Sequence, residues 1–561
     1  MQAIESIASD MLKSRSLVVP HQRFIASQEV QRTLLSTGVL HKTQDGNLTF
    51  GHQTLLDVLV ISGAIRQSVT LNEFIQKLPP VPFVRPSIRS FVEQLAVGER
   101  RKFRAQLRTV LTDNNAFHIR RLVAETFAEQ VPQDDDWVLL RDLRNQHREV
   151  FQVIYNRARR VEWHYLWMKH LVPLLKDTSN IEGLTAHVHH ISLWKNEDPA
   201  GVSTFWTEML SLEWENKIQI VNSIAHELGQ IRADNLNYYV PLLLQLLSLP
   251  RHDHSFLGRS LALFLKSGVV DDTVLWNYVA GELSEEDVLS YSFNNKLHCE
   301  PYEFGDRNDK FLAERMRNST ILLDLAIASI EQWSHIKRSH RGYCCSFLHK
   351  TSYEDTHTQS DHRHIDSERL LMDSIEAAIK HHANSQTSWW RNNRERLCLN
   401  TEESLRYFSI LAFTEQPTSN INVIERMLCK QALLESDLSY ELGELINKAY
   451  IFLPPSTQIS IQENILTIDQ EDASNPQARP WMIKKQALLV NAIPCHLRST
   501  NSQAVLNECE KLVWPLIRQP YIYSRGGIVG APFSFEVFLN SSNNGVPVSY
   551  THLRAHETHE N

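Results

Sequence analysis

The chain has 561 residues, 42% of them hydrophobic and 22% charged, which is ordinary globular usage with room for several domains or one long repeat array. A formal net charge of -8 argues against nucleic acid or another polyanion as a partner of the whole chain. No apolar run reaches the roughly 18 residues of a membrane span and residues 1–15 lack a signal-peptide pattern, so the expected setting is cytoplasmic, without a membrane partner. Cys299, Cys344, Cys345, Cys398, Cys429, Cys495 and Cys509 all lie in the second half and form no CxxC pair, which fits reduced thiols better than a disulfide or zinc framework.

Residues 1–49 read as helix, helix and hairpin. Ile4, Ile7, Met11 and Leu12 share a face at helical spacing, and Ser27 precedes a second helix as a candidate cap. Leu34, Leu35, Val39 and Leu40 lead into a strand, Gln44-Asp45-Gly46-Asn47 supplies turn chemistry, and Leu48-Thr49-Phe50 returns. Helices followed by a small hairpin predict a winged helix. A DNA-reading helix should be basic, whereas Gln28–Thr37 carries only Arg32 against Glu29, so no nucleic-acid partner is expected. Phe50–Phe91 is then the junction between this unit and a long helical remainder. Its run of Leu55, Leu56, Val58, Leu59, Val60 and Ile61 predicts a helix buried between neighbours.

The junction carries a family resemblance. Phe50-x-His52-x-Thr54-Leu55-x-Asp57 resembles the F-x-H-x-[ST]-[FL]-x-[DE]-[FY] segment of the winged-helix domain in STAND NTPases of the bacterial NACHT type. Val84-Arg85-Pro86-Ser87-Ile88-Arg89 is similar to the start of the helical array in bacterial members, including antiviral (Avs-like) ones. The resemblance implies that the motif histidine, here His52, contacts the phosphates of ADP held by a nucleotide-binding domain and favours the closed, inactive state. An imidazole at a helix start can donate to a phosphate oxygen. Val58 departs from the pattern, standing where the family usually has an aromatic residue. On residue pattern alone, His52 reads instead as a half-buried histidine bonded near a helix start, and Asp57 as a local hydrogen-bond or ion-pair partner rather than a catalytic acid.

No G-x-x-x-x-G-K-[ST] loop occurs in the sequence. This chain by itself is therefore expected to be no enzyme, with no catalytic residue, no metal and no cofactor of its own. The resemblance implies that ATP/ADP and Mg belong to a complete protein with a nucleotide-binding domain, which acts as an ATPase and assembles into an oligomer on activation.

From Pro86 to about Leu283 helical stripes follow one another without a strict period, which predicts irregular HEAT-like or TPR-like pairs, each burying its face against its neighbours. The Trp163, Tyr165 and Trp167 cluster reads as core. Ser284–Arg307 breaks the pattern, a long amphipathic helix is expected over Phe311–Ile336, and a polar loop follows with His335, His340, His349, Cys344 and Cys345 in and around it. The loop's spacing matches no zinc motif. Tyr353, Glu354, Asp355, His357 and His362 are its candidate partner-binding residues, since loops on rigid scaffolds carry recognition, although a solvated loop explains them too. Helices resume at Ser367, Asp469–Arg479 reads as a linker, and Tyr521–Leu539 shifts toward strand or irregular structure around Gly526-Gly527. Val548–Thr558, VSYTHLRAHET, resembles one translated frame of a transposase-end sequencing adapter. Native sequence is accordingly expected to end near Pro547 and the chain to be a fragment.

The fold class expected is mainly α: a small winged-helix unit followed by an irregular α-solenoid of HEAT/TPR-like helical pairs. The expected boundaries are a winged-helix domain at 1–78, a first helical array at 79–283, and the long helix with its polar loop at 284–366. A second array at 367–520, the start of a further unit at 521–547 and an adapter-derived tail at 548–561 complete the order. Two functions fit. One is the regulatory and sensing part of a STAND signalling ATPase in antiviral defence, whose array binds a protein ligand such as a phage component. The other is a free-standing helical-repeat scaffold for protein interaction.

Overall fold

A computed structural model of the chain describes residues 2–78, 82–176, 184–212, 217–249, 256–281, 283–305, 310–341, 346–353, 356 and 365–512. The described residues are mainly helical. They fall into two compact units, Met1–Phe264 and Leu265–Asn561.

The first unit begins with helix α1 (Gln2–Ser14), strand β1 (Val18–Pro20), α2 (Gln28–Ser36), β2 (Leu40–Lys42), β3 (Asn47–Phe50) and α3 (Gln53–Arg66). The expected hairpin forms between β2 and β3, with Leu40 opposite Phe50. Gly46 takes φ 77°, and the Thr43 amide donates to the Asn47 carbonyl at 2.8 Å, closing the turn where only a residue without Cβ sits easily. The sequence pattern hid β1, because three residues are too few for alternation to register. It pairs antiparallel with β3, giving the sheet order β1-β3-β2 of a winged helix. Val19, Leu40 and Leu48 bury with Ile7, Met11 and Leu12 of α1 and Leu56, Leu59 and Val60 of α3. That shared core fixes α3 against the sheet.

Helices α4 (Leu71–Gln76), α5 (Arg85–Val97), α6 (Arg100–Thr112), α7 (Phe117–Ala128), α8 (Trp137–Gln146), α9 (Arg148–Arg157) and α10 (Val161–Leu166) follow. A π-helical turn, Trp167–Leu171, leads to α11 (Val172–Lys176), α12 (Leu184–Ile191), α13 (Pro199–Ser211) and α14 (Lys217–Leu228). Alternate helices stack, α3 on α5, α5 on α7, α7 on α9 and α12 on α14, as in a solenoid whose pairs bury only against their neighbours. The second unit repeats the scheme, with Ser367–Asn384 on Glu403–Glu415, then Ser439–Ala449, then Arg479–Ala492.

The repeat that the sequence conceals is visible in the bonds between pairs. Trp163 Nε1 donates to the Gln130 carbonyl 33 residues back, Ser260 Oγ to Ala225 35 back, and Asn464 Nδ2 to Cys429 35 back. Each ties a side chain of one pair to a helix end of the one before. The turn Asp134–Asp136 works similarly: buried Asp136 pairs with Arg100, Asp135 with Arg104, and Asp134 with Lys169 and His170 of the π-helical turn. Trp163 and Trp167 are fully buried as expected, whereas Tyr165 is 54% exposed.

Two helices, Phe311–Asn318 and Thr320–Arg341, replace the single one expected over Phe311–Ile336. Ser319 between them is extended at φ -127°, and its Oγ accepts from the Leu322 amide at 3.3 Å, starting the second helix anew. The break expected at Ser284–Arg307 contains a short capped helix, Glu285–Leu289, in which Ser284 and Asp287 satisfy each other's backbone amides. No helix among the described residues is long and apolar enough to cross a membrane.

Candidate functional site

His52 is the N-cap of α3. Its backbone is extended at φ -144° and ψ 137°, and Nδ1 accepts the Thr54 amide at 3.2 Å. A ring whose Nδ1 accepts carries its proton on Nε2, so the far nitrogen is the donor. The side chain is exposed rather than half-buried, and that donor stands at the positive end of a 14-residue helix. Gly51 holds this geometry in place. Its amide donates to the Val39 carbonyl at 3.0 Å, and a Cβ at Gly51 would lie 2.2 Å from the Gly38 carbonyl oxygen. Any larger residue would force the backbone before the histidine away from Gly38. His41 is a second imidazole beside the same point, with Nε2 3.0 Å from where that Cβ would stand. The sequence signal for it is the glycine directly before His52, which marks a close backbone approach.

Five residues after His52, Asp57 is 8% exposed and accepts a hydrogen bond from Ser87 Oγ at 2.5 Å. Burial raises the Asp57 carboxyl above the usual carboxylate range, and the Ser87 bond offsets part of that. Ser87 belongs to the Val84–Arg89 segment at the start of α5, so the two stretches that carry the family resemblance meet in one buried bond. The expectation that Asp57 has a local polar role is thereby given its partner.

Helix α3 is not wholly enclosed. Val58 is 51% exposed and Ile65 43%, seven residues apart on one face, while Leu56, Leu59, Val60 and Ile61 are buried. Helix α2 has no buried residue at all, although Val30, Leu34 and Leu35 lie on it. Val30, Val58 and Ile65 are thus exposed on the winged helix, while Leu34 and Leu35 are half-buried. A groove of about 670 Å³ also runs along α1 and α3 to Lys77, but Asp10, Lys13 and Lys77 give its rim both signs of charge, which selects no ligand class.

The polar loop of the second unit is described at its base. Ser346 Oγ and the Phe347 amide donate to buried Glu402 at 2.8 and 2.9 Å, Lys350 pairs with Asp366 at 2.7 Å, and Arg369 Nη1 donates to the Thr351 carbonyl at 2.5 Å. Tyr353 is half-buried, its ring edge-on to Tyr407 at 5.5 Å, and burial with Glu441, Asp437 and Glu403 nearby drives its phenol upward. Glu354, Asp355, His357 and His362 lie outside the described residues, as do Cys344 and Cys345. His335 and His349 are exposed, and His340 lies 3.3 Å from Glu285. Among the described residues no group of three or more His, Cys, Asp or Glu side chains is placed to hold a metal ion.

No family model matches the chain, and no curated protein sequence matches it.

Proposed function

We propose that this chain is the regulatory and sensing part of a STAND signalling ATPase of the bacterial NACHT type. In this reading the helical array binds a protein trigger, such as a phage component, and the winged helix reports that event to a nucleotide-binding domain. The observation that carries the reading is the placement of His52. It is exposed, it caps α3 through Nδ1, and its Nε2–H is free to meet an acceptor supplied from outside the unit. A phosphate oxygen of ADP suits that donor, since the free amides of the helix start add positive potential.

The array can act on this contact because α3 is bonded to α5, the first helix of the stack, through Asp57 and Ser87. A displacement that begins in the stacked pairs and moves α5 carries the end of α3 with it. The same reading gives the uncovered Val30, Val58 and Ile65 a partner surface in the nucleotide-binding domain. Nucleotide hydrolysis, Mg and oligomer formation on activation belong to the complete protein.

The test is His52→Ala in the complete protein, read as ADP retention and basal activation. The expected outcome is weaker ADP retention by about 5- to 150-fold and raised basal activity, the range of an inter-site coupling energy. Unchanged retention with unchanged basal activity would overturn the reading and leave a helical-repeat scaffold in its place.

A further inference from the structure

The midpoint of the first array contains a feature that neither the winged helix nor the proposed nucleotide contact uses. Helices α9, α10 and α12, with the turn Ser192–Trp194, enclose three histidines among large rings. His164 on α10 is fully buried and stacks on Trp194 at 5.0 Å between ring centroids. His190 on α12 is 6% exposed, 3.8 Å from the Tyr155 ring and 5.2 Å from Trp194. One turn earlier, His187 Nδ1 lies 3.0 Å from the Tyr155 hydroxyl. Beside them is the π-helical turn whose first residue, Trp167, packs on Tyr155 at 5.3 Å. Helix irregularities of this kind concentrate where a fold must move or bind.

Burial and unpartnered ring nitrogens favour the neutral rings. His164 Nε2 lies 2.8 Å from Asp198 Oδ2, and its Nδ1 has no hydrogen-bond partner among the described residues. The Nε2 of His190 has none either. A proton added to His164 Nδ1 would be a buried donor without an acceptor. The charged neighbours divide the same way. Arg144 of α8 and Arg148 of α9 oppose a charge on His187, while Arg159, with His164, His187 and His189, opposes one on His190. Asp198 and Glu197 favour a charge on His164, but its burial outweighs them. On the outer side of α12, exposed His189 is bonded to Glu227 of α14, which also binds Lys195, so that network ties α12 to α14 rather than to α9.

We propose that His164, His187 and His190 form an acid-sensitive latch, in which proton uptake separates α12 and the turn Ser192–Trp194 from α9 and α10 and opens the first array. Desolvation holds His187 down at about 4 and His190 at about 3, and lowers His164. The open form binds protons at the ordinary histidine value near 6.5. The closed form is therefore fully favoured above about pH 6.5 and loses ground as pH falls toward those lower values.

Hydrogen exchange of the full chain between pH 7.5 and 5, corrected for intrinsic rates, tests this directly. Peptides covering α9, α10 and α12 should open about tenfold more per pH unit below 6.5 for each histidine released, while helix Pro455–Leu466 of the second unit keeps its protection. The double substitution His187→Phe with His190→Phe keeps ring volume and removes the titrating nitrogens, and should flatten the response. An undiminished acid response in that double variant would overturn the latch. Should the variant not fold, ring-proton NMR titration of the wild type decides. Protonation delayed well below pH 6 and accompanied by opening supports the latch, and protonation near 6.5 without opening overturns it.

Discussion

Two clusters of buried ionisable groups, one in each unit, are held by opposite means. In the first, His190 and His164 are enclosed by aromatic rings and each keeps a nitrogen with no hydrogen-bond partner among the described residues, so the interior favours the uncharged ring. In the second, Glu402 is fully buried yet surrounded by donors: Ser334, Ser346 and Ser404 hydroxyls, the Phe347 and Ser404 amides, and the Arg338 guanidinium. Both clusters are deeply buried, and they differ in the supply of hydrogen bonds. Burial alone therefore does not decide how a group is held; the donors and acceptors that accompany it matter as well. Asp57 stands between these extremes, with burial raising its carboxyl and Ser87 as its one donor among the described residues.

The strongest way to break this contrast is Glu402→Ala. It leaves the Arg338 guanidinium and several hydroxyl and amide donors without their acceptor, and should cost about 3–5 kcal/mol, the range for removing one side of a buried charged pair. Urea unfolding of the second unit gives the loss, and faster hydrogen exchange at the Phe347 amide locates it at the loop base.

A smaller effect comes from Glu441, which is 3% exposed and whose carboxyl burial raises to about 7. Between the ordinary value of 4.5 and that raised one, the folded state holds a proton that the unfolded chain releases. Its contribution is thus present below about pH 4.5 and is lost as pH rises through about 7, by an amount on the order of 1–3 kcal/mol. The second unit should then respond to pH in the opposite sense from the histidine latch of the first, and Glu441→Gln should flatten its slope in pH-dependent unfolding. The same slope in the variant would assign the effect to other groups.

The smallest expected change is Ser87→Ala. Removing the donor to Asp57 should cost about 1 kcal/mol at pH 7 and less near pH 4, where the carboxyl takes up a proton. Unfolding of the first unit measured at both values checks the difference. An equal cost at both would mean that Ser87 contributes through packing and not through its bond to a charge.

The sequence made part of the candidate site legible. The hairpin turn was readable because Gly46 and its polar neighbours suit one backbone geometry, and the position of His52 at a helix start because an apolar run begins directly after it. Its exposure was not readable: the apolar run after it suggested enclosure, whereas Val58 and Ile65 are uncovered on one face. The Asp57–Ser87 bond spans 30 residues and depends on how α3 crosses α5. The histidines of the latch come from α10 and α12, and nothing in local spacing announces that Tyr155 and Trp194 will bring them together.

By itself, the sequence determined what local physics controls: helical stripes, the turn at Gly46, a histidine at the start of α3, the mainly helical class and the absence of a P-loop motif. Tertiary structure decided the third strand, the division at Phe264, the break at Ser319 and the partners of every buried charge. The reason is the same in each case. Propensity and capping act over a few residues, whereas desolvation and hydrogen-bond satisfaction depend on which helices meet, and only the folded chain brings His190 to Tyr155 or Glu402 to Ser346.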